Sequence, residues 1–332
     1  MVKHWLAAGA AALSLGFTAT ASYAQTTTIP GEQVGLAVGA PLPEGVYAID
    51  TFTFQRADQP GSADTSFNVP VLVWSTPWKV LGARFEGVVA APTVWSFSRT
   101  GGRDISANVG TFVGGIFAWD LGNNVGVSYL AGVYLNELNA GRFGGAQILA
   151  SNTYRQGFAI SYTGEGWNLT ANLTYNFYDV PARFDGRNGI AAFYGAQVPS
   201  DALNLDLTAT KKFGNFEIGA IGYGTTNLRN RAPFAFSSAS FPTGCIGVGN
   251  CGTVGPSGGG RFALGGLVGY DFGKFSVQAY VARDVVNSVN YVTPAGRVRE
   301  NDRTEGWFRV VAPLYTVAAA PAPEPAPIIR KY

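Results

Sequence analysis

From Trp167 to Phe177 the chain alternates strictly: every odd position is apolar and every even position is Asn or Thr. Leu203–Thr210 and Phe275–Val281 carry the same period of two. In a strand these two sets face opposite sides of the sheet. Strands of soluble sandwiches run to about 5–6 residues, whereas a tilted strand needs ~9–11 to cross a bilayer, and these runs suit the second length. Extended along the chain, the pattern predicts about twelve antiparallel strands, an even number as in bacterial barrels. They fall near residues 45–56, 66–76, 79–97, 108–119, 124–136, 152–163, 166–179, 201–213, 215–228, 260–272, 274–287 and 305–315.

The connections alternate in length. Short turns are expected at Thr76-Pro77-Trp78, Asp120–Asn123, Gly164-Glu165, Gly214 and Gly273, and longer links at 57–65, 98–107, 137–151, 180–200, 229–259 and 288–304. Outer-membrane barrels have short periplasmic turns and longer extracellular loops, which would put both chain ends in the periplasm. Backbone groups in lipid must all be paired, and a closed sheet achieves that without an edge. The expected fold is therefore all-β, a closed antiparallel transmembrane up-and-down β-barrel over 45–315.

Composition narrows the picture further. Only 13% of residues are charged, against about 25% in ordinary soluble domains, while 13% are aromatic and 44 are Gly. Residues 1–24 have the form of a signal peptide, with Lys3, the short apolar run Leu6–Phe17 and small residues around Ser22-Tyr23-Ala24. Its removal leaves 22 Lys and Arg against 21 Asp and Glu, and takes away the sole histidine, His4. Balanced, scattered charge gives no footprint for nucleic acid. Without histidine, Ser-His, Cys-His and His-ligated metal chemistry are excluded, so no enzyme activity and no cofactor is expected. Residues 25–44 contain Pro30, Pro41 and Pro43 and lack periodicity; they are expected to be a periplasmic leader, with tucking into the barrel mouth as the alternative. Residues 316–332 are expected to be a Pro/Ala-rich periplasmic tail.

With the fully apolar face turned outward, the lumen is expected to receive Asp50, Phe52, Phe54, Trp74, Arg84, Glu86, Tyr134, Arg155, Asn168, Asn172, Asp206, Glu217, Tyr223, Gln278, Tyr280 and Arg309. Such a wall mixes both charge signs with aromatics, unlike the more polar interior of a general porin. Phe52, Phe54, Tyr223 and Tyr280 offer stacking surfaces for apolar solutes, or simply fill the barrel. Charges inside need partners, so Arg84, Glu86 and Asp206 are expected in cross-strand pairs. Trp119, Trp167 and Trp307 lie near strand ends, where aromatic girdles sit. Gly255–Gly260 lacks the Lys and helix start of a phosphate loop.

Several pieces resemble one outer-membrane family in the same order along the chain. Pro43-Glu44-Gly45-Val46-Tyr47 is similar to that family's P-x-G-x-Y opening. Leu121-Gly122-Asn123-Asn124 with Leu130–Leu135, Gly164-Glu165-Gly166-Trp167, Lys212-Phe213-Gly214-Asn215 and Gly269–Lys274 follow. The family is labelled "MetA-pathway of phenol degradation", and the resemblance covers roughly residues 40–315. It implies a barrel in the bacterial outer membrane that takes up hydrophobic or aromatic compounds. Lipids with lipopolysaccharide, such solutes and the barrel-assembly machinery are the partners expected. A structural or adhesive barrel with a closed lumen is the alternative.

Cys245 and Cys251 share one Gly-rich link, and an exported chain meets an oxidising compartment, so a disulfide is expected between them. An impermeant maleimide applied to intact cells should label them only after reduction. Labelling without reductant would exclude the disulfide, and labelling confined to opened cells would exclude the extracellular loop.

Overall fold

The computed structural model describes residues 28–100, 104–108, 110–135, 153–178, 201–228, 260–288, 290–293 and 295–317. The expected signal peptide, the Cys245–Cys251 pair, the Pro/Ala-rich tail from 318 onward and the long links 137–151, 180–200 and 229–259 lie outside these residues. No described helix is long and apolar enough to cross a membrane. Crossing is done by strands.

Twelve strands close into one antiparallel barrel. They are β1 (Gly45–Ala57), β2 (Asp64–Val80), β3 (Ala83–Ala90), β6 (Thr111–Asp120), β7 (Val125–Leu135), β8 (Thr153–Tyr162), β9 (Trp167–Tyr178), β10 (Ala202–Phe213), β11 (Phe216–Asn227), β12 (Gly260–Asp271), β13 (Ser276–Asn287) and β16 (Arg303–Thr316). Each pairs with its chain neighbour around the wall. β1 completes the ring by pairing with β2 on one side and with β16 on the other, from Gly45↔Thr316 to Ala57↔Arg303. At the long-loop end, β4 (Thr93–Phe97) and β5 (Ile105–Asn108) extend the sheet beyond β2, and β14 (Asn290–Val292) with β15 (Val298–Glu300) forms a separate hairpin.

Two departures from the expected strands have proline at their centre. The turn expected at Thr76-Pro77-Trp78 is instead an irregularity inside β2, where the register with β3 shifts between Ser75 and Lys79. Pro77 has no N–H for a ladder, and Thr76 stands in locally: its hydroxyl donates to the Phe85 carbonyl (2.7 Å) and accepts from Trp78 N–H (3.2 Å). The chain reverses later, at Leu81-Gly82, with φ of 51° and 81°. The strand expected over 79–97 is likewise divided by Ala91-Pro92 into β3 and β4.

The third departure concerns the expected leader. Residues 28–42 do not precede the barrel; they lie inside it. Gly31, Gly35 and Gly39 donate their N–H groups to Asp206, Thr208 and Ser161, while Leu42 N–H reaches Glu86 on β3, toward the other side of the wall. The segment descends through successive turns, with Glu32 N–H on Ile29 O (3.0 Å), Leu36 N–H on Gln33 O (3.2 Å) and Ala40 N–H on Ala37 O (2.9 Å). A non-periodic sequence cannot join the ladder, and a lumen lined by Asn, Thr and Asp supplies the partners that its backbone needs.

The outward face is apolar. Leu169, Leu173, Phe158, Ile160, Val268 and Val281 are all exposed on it, with Trp167, Phe213, Phe216, Phe272 and Phe275 gathered at the short-turn end. Leu173, near the middle of β9, faces out beside Leu205, while its neighbour Asn172 is buried inward. Leu173→Arg should therefore lower stability in lipid vesicles by ~2–4 kcal/mol, whereas Leu173→Ile should stay within ~1.5 kcal/mol. Equal folding midpoints for the two variants would mean that this face does not meet lipid.

Candidate functional site

Inward positions of β8 to β11 follow the alternation seen in the sequence. Arg155, Ser161, Asn168, Thr170, Asn172, Thr174, Asn176, Asn204, Asp206, Thr208, Thr210, Glu217 and Tyr223 turn their side chains into the lumen, and nearly all are buried. Residues 28–42 lie against many of them, as a plug in the lumen. Asn172 Nδ2 donates to Gln33 (2.6 Å), Asn168 Nδ2 to Gly35 O (3.0 Å), and Thr28 to Asn176 (2.6 Å). Gln278 Nε2 bridges Gly35 O and Glu217, both at 3.0 Å, and Thr210 donates to the other Glu217 oxygen (2.6 Å).

Arg309, on β16, is the centre of this network and is wholly buried. Its Nε donates to Thr51, its Nη1 to Val34 O and Gln278 Oε1, and its Nη2 to Glu32 O and Tyr280 OH. Arginine carries five N–H donors, so each has an acceptor here. Tyr280 passes the link on, its hydroxyl donating to Gly31 O (2.9 Å) while the guanidinium carbon stands 5.5 Å from its ring centre. A second anchor is the ion pair between Arg155 on β8 and Glu32 of the plug.

The plug approaches the wall through its glycines. A Cβ on Gly39 would lie 2.5–2.8 Å from backbone atoms of Ile160 and Ser161, and one on Gly31 would meet the Tyr223 ring at 2.9 Å. No larger residue fits these two places without moving the plug. The spacing Gly31-x-x-x-Gly35-x-x-x-Gly39, one glycine per turn, is the sequence signal for this docking, and reading the segment as a leader missed it.

Beside the plug lies an aromatic group. The Trp307 ring stacks on Tyr280 (5.3 Å between centres, 13° between planes) and stands edge-on to Tyr223 (6.0 Å, 80°). Trp307 Nε1 donates to Tyr223 OH (3.0 Å), which donates to Glu305 (2.6 Å). Glu305 pairs with Arg261, whose other nitrogen lies 3.7 Å from Asp284. Glu305, Arg261 and Asp284 were not foreseen, because each sits near the strand end beside a long link, where the alternation begins.

Of the side chains expected in the lumen, Glu86, Asn172, Asp206, Glu217, Tyr223, Gln278, Tyr280 and Arg309 face inward and are buried, and Arg84 is half-buried, donating to Thr76 O (3.1 Å). Asp50, Phe52 and Phe54 do not. Arg309 pairs with Thr51, which fixes Thr51, Thr53 and Gln55 as the inner set of β1 and turns their neighbours to lipid. Phe52 and Phe54 are accordingly 43% and 41% exposed, and Asp50 accepts from Asn68 (2.6 Å) on the outside of the barrel. Trp74 also faces out, whereas Trp307, expected in a girdle, is lumenal.

No curated protein matches the chain. Among solved structures, it is similar to the β domain of the Bordetella autotransporter BrkA (14% identity, TM-score 0.41, covering 81% of this chain and 99% of that one). It is also similar to a FadL homologue of Pseudomonas aeruginosa (9% identity, TM-score 0.40, covering 83% and 93%). OccAB4 of Acinetobacter baumannii follows at 9% identity and a TM-score of 0.29, covering 82% and 98%. A protein family matches residues 45–291, from the first residue of β1 into β14, with the plug lying N-terminal to the matched stretch. This outer-membrane barrel belongs to the family described as "Putative MetA-pathway of phenol degradation".

Proposed function

We propose that the chain is an outer-membrane transporter that admits small hydrophobic or aromatic molecules past a displaceable N-terminal plug. The observation that carries this reading is what the plug covers. Gly31 lies against the Tyr223 ring and accepts from Tyr280, so withdrawing the plug bares the aromatic group of Tyr223, Tyr280 and Trp307. A polar pore would gain nothing from such a surface. An apolar solute gains stacking of about 0.5–1.5 kcal/mol per ring beyond area burial, enough to draw it in and weak enough to let it leave. The stacking path is thus Tyr223, Tyr280 and Trp307, and Phe52 and Phe54 are no part of it.

The filled lumen also favours a second reading, a closed structural or adhesive barrel working through its outer loops. The two differ in what happens when the plug is removed. Gly39→Val, which forces a side chain against Ile160 and Ser161, or deletion of residues 25–40 should give a stepwise conductance in planar bilayers that the parent chain lacks or shows rarely. In the deleted chain, Tyr280→Ala with Trp307→Ala should slow uptake of an aromatic solute about tenfold, two rings at ~0.7 kcal/mol each, and leave sugar uptake unchanged. A deleted chain that carries no current supports the closed barrel. Equal loss for both solutes would mean that the aromatic group only fills space.

A further inference from the structure

Arg309 and Arg155 hold the same plug in different ways. Every Arg309 donor is satisfied, but the Nε and Nη2 of Arg155 are buried and have no hydrogen-bond partner among the described residues. Nη1 is engaged by the Glu32 carboxylate and by Tyr134 OH at 3.3 Å. Nε–H and Nη2–H form one edge of the guanidinium and point in parallel, the fork that takes a carboxylate side-on through two hydrogen bonds. Leaving two donors of a buried cation idle is costly.

The surroundings of this guanidinium are aromatic. The Arg155 guanidinium carbon stands 5.7 Å from the centre of the Phe112 ring, and Phe112 packs on Tyr134 with 4.8 Å between centres. The Phe112 ring lies over Gly132 and Gly114, where a Cβ would come within 2.3 Å and 2.8 Å of it, and Gly132 is the ladder partner of Arg155. Phe112, Tyr134 and Arg155 all lie within the two or three residues of their strands nearest the long-loop end. The plug residue in contact with Arg155, Glu32, is the sole ionisable side chain between Thr28 and Leu42.

We infer that Arg155 is a binding site for small aromatic carboxylates, and that such a solute, seated on the Nε–Nη2 edge, competes with Glu32 for the guanidinium charge and thereby releases the plug. The inference rests on the transport reading and narrows its substrate class. The exchange keeps the charge count of the lumen constant, one carboxylate leaving the guanidinium as another arrives. It also supplies two acceptors for the idle fork and sets a ring beside Phe112 and Tyr134. A ligand shifts an equilibrium only by its differential affinity for the two states, and here the difference comes from a guanidinium that Glu32 occupies in the plugged state alone.

The test uses the purified full chain, with benzoate as probe and benzamide as its uncharged isostere. Calorimetry should show benzoate binding to the parent protein, binding about tenfold tighter to Glu32→Gln, where the competing carboxylate is gone, and no binding to Arg155→Gln. Arg155→Lys keeps the charge but lacks the fork, and should also lose at least about tenfold; it serves if Arg155→Gln fails to fold by heat-modifiable mobility. In planar bilayers benzoate should raise the open fraction of the parent chain at about tenfold lower concentration than benzamide. Benzoate that binds the parent and Arg155→Gln equally, or binds neither, overturns the site. Benzoate that binds through Arg155 without changing the current overturns plug release. Equal action of benzoate and benzamide on the current overturns the carboxylate class while transport stands, and a parent chain through which neither solute passes overturns the transport reading itself.

Discussion

A strand in hydrocarbon has no water to bond, so each N–H and C=O must find a partner in the wall itself. The ladder from Gly45↔Thr316 to Ala57↔Arg303 satisfies that requirement for the two ends of the sheet. With the ring closed, the pleat divides every strand into an outer and an inner set, and nothing but sequence parity decides which is which. Position along the chain thus becomes position around a lumen. Arg155, Asp206, Gln278 and Arg309, far apart in sequence, come to face one another across it.

Closure creates a second requirement. The inner set is rich in Asn, Thr and ionised groups, and a lumen this narrow does not leave them in bulk water. A buried ion left alone costs ~3–5 kcal/mol when its partner is removed. The plug meets the demand with backbone more than with side chains: Gly31, Gly35 and Gly39 offer N–H groups to the wall, and Gly31, Glu32, Val34 and Gly35 offer carbonyls. Backbone donors and acceptors recur at every residue, so a short glycine-spaced segment with one charge serves a wall of many polar groups.

The strands were legible because one face meets lipid, and lipid enforces the alternation without exception over Trp167–Phe177 and Leu203–Thr210. Where two demands compete, legibility fails. In β1, Asp50 shares its parity with Phe52 and Phe54, and a charge is normally an inward signal; the stronger demand came from Arg309, which needs Thr51 on the inside. Neither Arg309 nor its ladder partner announces this locally. The Pro77 irregularity reads as a turn because a proline breaks a ladder in either case. The plug was missed for a different reason: its stability comes from contacts 33 to 277 residues away in sequence, from Leu42 with Ser75 to Glu32 with Arg309, and no local period encodes those. Its glycine spacing was the one local trace.

The two arginines that hold the plug differ in what each would lose on its departure. Arg309 surrenders two backbone carbonyls but keeps Thr51, Gln278 and Tyr280, all of which belong to the wall. Its charge stays solvated by protein dipoles whether the plug is in place or gone. Arg155 surrenders the one carboxylate it pairs with among the described residues and keeps Tyr134 OH. Net hydrogen bonds are worth ~0.5–1.5 kcal/mol each, so the backbone contacts of the plug exchange readily for water. An unpaired buried guanidinium does not. In the proposed opening, the resistance is therefore concentrated at Arg155 and Glu32, near the long-loop end, and the rest of the plug would follow once that pair has separated.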